Sequence, residues 1–298
     1  MKLALFGRNL KSNGTGEFIS RLAAFFSENH TVAFVHENII NEFNELTQGF
    51  SLAIEPFNDN NFSKTDAEYL ISIGGDGTLL DTVALVKEKN IPVLGINSGR
   101  LGFLANVAKD EVYEAFTDLA KGNYTIDTRS LLYLESTETY FEGLHYALND
   151  FVIHKNDSSS MIVVNTYLNG EFLNSYWADG LIISTPTGST GYSLSCGGPI
   201  LFPYSESFAI TPIAPHNLNV RPIVVSDKNV ISFEVEGRSN SFLISMDSRS
   251  VSVPFTSQLA IRKSDFELKL VQLKDHNYLR TLRRKLMWGV DKRNFDKG

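Results

Sequence analysis

Ile71-Ser72-Ile73-Gly74-Gly75-Asp76-Gly77-Thr78-Leu79-Leu80 is the stretch that decides the fold. A short apolar run enters a bend with three glycines, and an apolar pattern at helical spacing begins directly after it. Working outward, Ala67 to Ile73 reads as a strand, Thr78 to Lys87 as a helix and Ile91 to Ile96 as a second strand. A strand, a helix and a strand within about 30 residues form a βαβ unit, which implies a parallel sheet with helices on its faces. Leu3 to Phe6 and Val32 to Val35 are further strand candidates. Phe18 to Phe26 has helical spacing, with Asn13 to Gly16 as its start signal. Residues 1–128 are therefore expected to form an α/β domain.

The pattern changes near residue 125–130. Leu131–Leu134, Leu148–His154, Ile162–Leu168, Leu181–Ser184, Ile223–Val225, Val230–Val235, Phe242–Ile244, Val251–Val253 and Phe266–Leu270 are short and rich in β-branched or aromatic residues. Asn169-Gly170, Ser226-Asp227 and Gly237 separate them as turn signals. Residues 129–276 are expected to form a β-rich domain, interrupted by a Ser/Thr/Gly-rich segment at 184–198. Tyr278 to Met287 returns to a helical, basic pattern, and segment 277–298 is expected to pack back on the first domain.

Composition sets bounds on function. The chain has 298 residues, 43% hydrophobic and 20% charged, with a net charge of −7. An acidic chain without a basic tract is a poor nucleic-acid binder, so any anionic ligand must be held locally. The longest apolar run, Leu22 to Phe26, is far short of the about 20 residues a membrane helix requires. Arg8 and Lys11 cut off the apolar start of the chain, which argues against an export signal. The single cysteine, Cys196, excludes an internal disulfide framework and fits a cytoplasmic setting.

Three motifs carry chemistry. At Gly74–Thr78 the glycines allow close approach of a ligand to the backbone, and the helix start offers unpaired N–H groups to phosphate. Asp76 would repel phosphate there unless a cation or a proton-transfer role accounts for it. The alternative is a tight βα turn with Asp76 as helix cap. The second motif is Asp179-Gly-Leu-Ile-Ile-Ser184-Thr-Pro-Thr187-Gly-Ser-Thr190-Gly-Tyr192-Ser193. Its hydroxyls can read the edges of a base, an amide or a ribose, and Tyr192 can stack on a flat ring; the plain alternative is a Ser/Thr-rich surface turn. The near match to Gly-x-Ser-x-Gly fails at Thr187, and no His suggests a triad. The third is Asn149-Asp150, which can grip vicinal hydroxyls and is also ordinary turn chemistry. There is no Walker-type Gly-Lys, no dinucleotide fingerprint and no His pair at metal spacing.

Taken together, Gly74–Thr78, Asn97-Ser-Gly99-Arg-Leu-Gly102-Phe-Leu104, Asn149-Asp150, Asp179 through Pro199, His216–Pro222 and Leu282–Leu286 resemble the NAD kinase family. The Gly-Gly-Asp-Gly-Thr loop alone is shared with lipid kinases and phosphofructokinases, and the 179–199 block is the specific part. The resemblance implies phosphorylation of the 2′-hydroxyl of the adenosine ribose of NAD by ATP or another polyphosphate, with Mg²⁺ or another divalent cation. It implies that Asp76 is the general base and that Gly77, Asn149, Asp150, Asp179, Thr187, Thr190 and Tyr192 hold NAD. Gly74, Gly75, Gly77, Thr78 and Arg100 would hold donor phosphate, and no protein metal ligand is assigned. It also implies a homodimer or homotetramer. The readings weighed against it are a lipid kinase of the diacylglycerol or sphingosine type, which needs an apolar acceptor pocket, and a non-catalytic dinucleotide sensor.

The sequence departs from the common family pattern at Asp150 (often Glu), Gly191 (often Ala), Ser248-Arg249 (often Gly-Gln) and Met287 (often Gly). His216 and Arg221 are expected to hold their strand and an interface. Arg280, Arg283, Arg284 and Lys285 are expected to form a solvated helix face, and Cys196 to be a packing residue.

Overall fold

The computed structural model describes the chain apart from residues 11–14, 88, 100–101, 106, 157–160, 275–276 and 290–298. Part of the helix start signal at Asn13 and the whole of Arg100 lie outside the described residues. The chain divides into two compact units, Met1–Asp127 with Lys269–Gly298, and Thr128–Leu268.

The first unit begins with β1 (Lys2–Gly7), α1 (Thr15–Glu28), β2 (Val32–His36), α2 (Ile40–Leu46), β3 (Ala53–Phe57), β4 (Tyr69–Gly74), α3 (Asp76–Val86) and β5 (Val93–Asn97). β6 (Val107–Ala108), α4 (Val112–Lys121) and β7 (Tyr124–Arg129) follow. Strands β1, β2, β3, β4 and β5 pair in parallel, with β1 central between β2 and β4. Leu3, Leu5, Ile71, Ile73, Leu94 and Ile96 are buried against Phe18, Leu22 and Phe25 of α1 and Phe116 of α4. Strands covered on both faces need apolar residues at successive positions, which is why β1, β4 and β5 read as uninterrupted apolar runs. α4 ends at Gly122, whose φ of +71° places it in the left-handed region that closes a helix.

The second unit contains β8 (Leu132–Ser136), β9 (Tyr146–Ala147), β10 (Asp150–Lys155), β11 (Ile162–Leu168), β12 (Glu171–Ala178) and β13 (Gly180–Ser184). After the short helix α5 (Tyr192–Ser195) come β14 (Ser207–Ile213), β15 (Ile223–Ser226), β16 (Ile231–Glu236), β17 (Ser241–Met246), β18 (Arg249–Pro254) and β19 (Leu259–Lys263). They make two six-stranded sheets, in the orders β15-β14-β13-β10-β17-β18 and β12-β11-β16-β19-β8-β9. Phe151, Ile153, Leu181 and Ile183 of one sheet share a core with Val164, Phe233 and Ile261 of the other. Alternate residues of β10 and β13 therefore face away from that core. Val152, Ile182 and Ile213 form a small apolar patch there, with Cys196 packed against it. Cys196 is thus a packing residue. Asn169 and Gly170, at φ +51° and +84°, make the tight β11–β12 turn their dipeptide predicts.

The chain then returns to the first unit. The strand expected at Phe266–Leu270 lies at β20 (Leu268–Leu273), and it joins the parallel sheet, Leu270 beside Val93. Leu268, Leu270, Val271 and Leu273 are all buried, as a strand covered on both faces requires. Asn277 caps α6 (Tyr278–Lys285) by accepting the Leu279 N–H at 2.8 Å. Leu282 is the buried anchor of α6, and Lys285 lies over the Phe103 ring at 5.9 Å.

Candidate active site

The first unit supplies the glycine turn. β4 ends at Gly74, Gly75 is the N-cap of α3, and Asp76 is the first residue of the helix. None of the three glycines has a positive φ. Their lack of a side chain matters in two other ways. A Cβ on Gly74 would overlap the buried Thr78 side chain, whereas Cβ atoms on Gly75 and Gly77 would meet nothing within 4 Å. The backbone of Gly75 and Gly77 thus borders open space at a helix N-terminus, where N–H groups await an anion.

Asp76 does not cap its own helix. Its carboxylate reaches across to the segment after β5. Oδ2 accepts the Phe103 N–H at 2.8 Å, and Oδ1 accepts the N–H groups of Leu104 and Ala105, each at 3.0 Å. Gly102 makes this approach possible, because a Cβ there would overlap the Asp76 carboxylate. A carboxylate has about four acceptor positions. Three are used here, and the second lone pair of Oδ2 takes no bond from the described residues.

Ser98 ties this segment to the turn, its N–H donating to the Gly74 carbonyl at 3.0 Å. Beside it is an open cleft of about 490 Å³ lined by Asn97, Ser98, Gly99, Lys109 and Arg284. Lys109 attracted no attention in the sequence. Arg284 belongs to the basic cluster expected on a solvated face, and it is exposed, yet it borders this cleft.

In the second unit Asn149 and Asp150 lie at the start of β10, Asp179 just before β13 and the hydroxyl-rich block just after it. Asp150 opens β10 opposite Ser184 of β13. It is 7% exposed, and its carboxylate makes no hydrogen bond among the described residues. Burial, reinforced by the neighbouring Asp247, pushes its carboxyl up to about 7. The Ser184 hydroxyl is also buried without a partner. Asn149 precedes Asp150, and its carbonyl accepts the Thr185 N–H at 2.9 Å. Gly188 packs so closely on Asn149 that a Cβ would overlap its carbonyl.

The hydroxyl-rich block is rigid rather than a surface turn. Ser184 through Ser189 are all buried. Thr185 Oγ1 donates to the Leu148 carbonyl at 2.5 Å and accepts the Gly188 N–H at 3.1 Å. Ser189 Oγ donates to the Pro186 carbonyl at 2.6 Å and accepts the Leu201 N–H at 2.9 Å. Thr187 Oγ1 accepts from Arg129 at 3.2 Å, and its carbonyl takes the Thr190 hydroxyl at 3.2 Å. Much of the hydroxyl content therefore builds the loop.

Tyr192 starts α5 and is 42% exposed. Its phenol is pushed up by burial first and then by Cys196, Asp150 and Asp179, which places those groups in one electrostatic neighbourhood. Asp179 is paired with Lys155 Nζ at 2.7 Å. The β10–β13 register sets Asp150 opposite Ser184 at one end of the ladder and Asp179 beside Lys155 at the other. Asp247, Lys155 and Arg129 drew no reading from the sequence, and Arg249 only as a departure from the family pattern, because their contacts join positions up to 105 apart in the chain.

Among the described residues no group of three His, Cys, Asp or Glu side chains could hold a metal ion. No helix there is long and apolar enough to cross a membrane.

Comparison with known proteins identifies the family. The family model described as ATP-NAD kinase N-terminal domain matches residues 28–124, and that described as ATP-NAD kinase C-terminal domain matches residues 148–273. The chain is 46% identical over 297 residues to an NAD kinase of Cytophaga hutchinsonii, covering 99% of this chain and 100% of that one. It is 48% identical over 296 residues to an NAD kinase of Flavobacterium johnsoniae, with the same coverage. The fold matches a crystal structure of yeast NADH kinase complexed with NADH, with a TM-score of 0.84 at 20% identity over 98% of this chain and 88% of that one. It also matches an NAD kinase from Archaeoglobus fulgidus in complex with ATP, with a TM-score of 0.71 at 23% identity over 96% and 99%. With both family models spanning its two units and full-length relatives near half identity, the chain belongs to the NAD kinase family and is a kinase.

Proposed function

We propose that this enzyme transfers the terminal phosphoryl group of ATP, or of another polyphosphate, to the 2′-hydroxyl of the adenosine ribose of NAD, giving NADP. The observation that carries this reading is Asp76, a carboxylate fixed by three backbone N–H groups beside the bare backbone of Gly75 and Gly77.

Phosphoryl transfer passes through a loose transition state, so positioning and charge stabilisation dominate. The turn of Gly74, Gly75, Gly77 and Thr78 holds the donor phosphates at the N-terminus of α3. Lys109 and Arg284 add cationic charge in the adjoining cleft. Asp76 Oδ2 accepts the hydroxyl proton on its unused lone pair as the oxygen–phosphorus bond forms and the leaving phosphate departs. Gly77 supports the acceptor beside it. Asn149 and Asp150 accept and donate to sugar hydroxyls, Asp179 meets the nicotinamide end, and Thr187, Thr190 and Tyr192 surround the rings.

A divalent cation such as Mg²⁺ would be carried mainly by the donor phosphates and would keep much of its water. When bound, its charge offsets the repulsion between phosphate and Asp76. The lone Cys196 fits a reducing, cytoplasmic setting. A homodimer or homotetramer is supported by the second unit, where an open groove of about 780 Å³ lies beside the exposed Trp177 and Leu218.

The deciding assay measures NADP formation from NAD with ATP and with polyphosphate, each with and without Mg²⁺. Asp76→Asn is expected to lower kcat by at least about 10²-fold while NAD affinity stays within a few-fold. Turnover near that of the unaltered enzyme would remove Asp76 from the role of base. Absence of NADP with every donor would overturn the activity itself.

A further inference from the structure

The β17–β18 hairpin tip has a feature that the roles above leave unused. Asp247 has a φ of +52°, a left-handed conformation uncommon for a residue with a side chain. That turn aims its carboxylate at a separate segment. Oδ2 accepts the Leu148 N–H at 2.9 Å, and Oδ1 accepts the N–H groups of Asn149 at 2.7 Å and Asp150 at 3.3 Å. The Asp247 N–H donates back to the Asp150 carbonyl at 3.0 Å. Arg249, at the other side of the tip, donates to the carbonyls of Leu144 (2.6 Å) and Tyr146. It also lies over the Phe141 ring at 5.6 Å.

Residues 144–150 are thus gripped through carbonyls at one end and N–H groups at the other. With their backbone groups occupied, the side chains of Asn149 and Asp150 make no hydrogen bond among the described residues. They are held without being used. The grip also places a second carboxylate beside the buried Asp150, which adds to the burial that opposes its ionisation. Two neutral turns would hold a hairpin with less electrostatic conflict.

We propose that Asp247, assisted by Arg249, is the positioning residue of the acceptor site, fixing the 148–150 backbone so that Asn149 and Asp150 present their side chains to the sugar hydroxyls of the dinucleotide. This rests on the assignment of Asn149 and Asp150 to NAD. Asp247 acts through them and touches no substrate.

The test is steady-state kinetics on the full chain. Asp247→Asn retains the shape but turns an amide donor toward backbone N–H groups. Loss of charge-assisted hydrogen bonds predicts a rise in KM for NAD of about tenfold or more, with KM for ATP within about twofold. Ser248→Ala, on the same exposed tip, changes neither. In an Asn149→Ala background, Asp247→Asn is expected to add less than its factor in the unaltered enzyme, the remainder acting through Asp150, since interacting residues are not additive.

An Asn149→Ala variant with unchanged KM for NAD refutes the underlying acceptor assignment. If Asn149→Ala raises KM and Asp247→Asn does not, or multiplies it by its full factor, the positioning role is overturned. It is overturned equally if Asp247→Asn weakens NAD and ATP to the same extent. Should Asp247→Asn fail to fold, Arg249→Ala carries the test. It is expected to raise KM for NAD selectively, and an unchanged value overturns the proposal.

Discussion

Asp150 shows how one carboxyl can be set against the stability of its own fold. Burial and the Asp247 charge push it up to about 7, while an unfolded-chain Asp titrates near 3.9. Below pH 4 the group is protonated in both states and has no effect on stability. Between about pH 4 and 7 the folded state keeps a proton that the unfolded state releases, so stability falls as pH rises. Above about pH 7 both forms are ionised and the penalty is constant, at roughly 4 kcal/mol for about three pH units. Asp150→Asn is therefore expected to flatten the decline between pH 4 and 7. It should stabilise the ligand-free protein at pH 8 by up to about 4 kcal/mol, while raising KM for NAD. Urea denaturation at pH 5 and pH 8 reads the first effect. An unchanged pH slope would show that Asp150 is not held in its protonated range. The sequence identified Asn149-Asp150 as a pair able to grip hydroxyls. It carried no sign of the burial, which comes from pairing β10 with β13 on one side and β17 on the other.

At the scale of elements, local patterning predicted what local patterning controls. The β4–α3–β5 unit was readable because its strands are apolar on both faces and its helix follows a glycine bend at once. β14 was not, because Pro212 lies inside it and polar Thr211 precedes it, so that a run of Ala209-Ile210-Thr211-Pro212-Ile213 lacks a strand's plain signature. The Asp76 contacts were hidden for a different reason. They join the start of α3 to residues 103–105, and only the sheet brings those together. Asp76 as helix cap was the alternative that local sequence offered, and a nonlocal set of three N–H donors takes its carboxylate instead. Gly102 is the test of that joint. Gly102→Ala puts a methyl group into the space of the Asp76 carboxylate. Displacement of a reacting group by about 1 Å is enough to lower kcat by about 10²-fold. The thermal midpoint should fall by only a few degrees, roughly as for about 1 kcal/mol in a domain of this size. Full kcat in Gly102→Ala would mean that the Asp76 grip has no catalytic importance.

For the whole molecule, chain order and spatial order part company. The parallel sheet of the first unit is completed by β20, which follows β19 of the second unit in sequence, and α6 then adds Leu282 to the first unit's buried residues. A reading by composition assigned β20 to the β-rich stretch, since a strand carries no label of the sheet it will join. Surfaces at this scale also call for an explanation. In the second unit, β12 and β15 each end a sheet. Near them Trp177 is 48% exposed and Leu218 is 89% exposed. Arg221 donates to the carbonyls of Leu218 and Val220 at 2.9 and 2.7 Å, so the loop that displays Leu218 is held in place by its own side chain. His216 donates its backbone N–H to the Trp177 carbonyl at 2.7 Å, joining that loop to β12. A fixed loop showing apolar side chains beside the end strands of two sheets suits an association surface, and the occupant proposed above is a second copy of this chain. Leu218→Glu would place an unpaired charge in such an interface. Sedimentation velocity is expected to show the unaltered chain as a dimer or tetramer and Leu218→Glu weakened by at least about tenfold in Kd. A monomeric unaltered chain at assay concentrations, or a variant that sediments identically, would reject this face as the site of assembly.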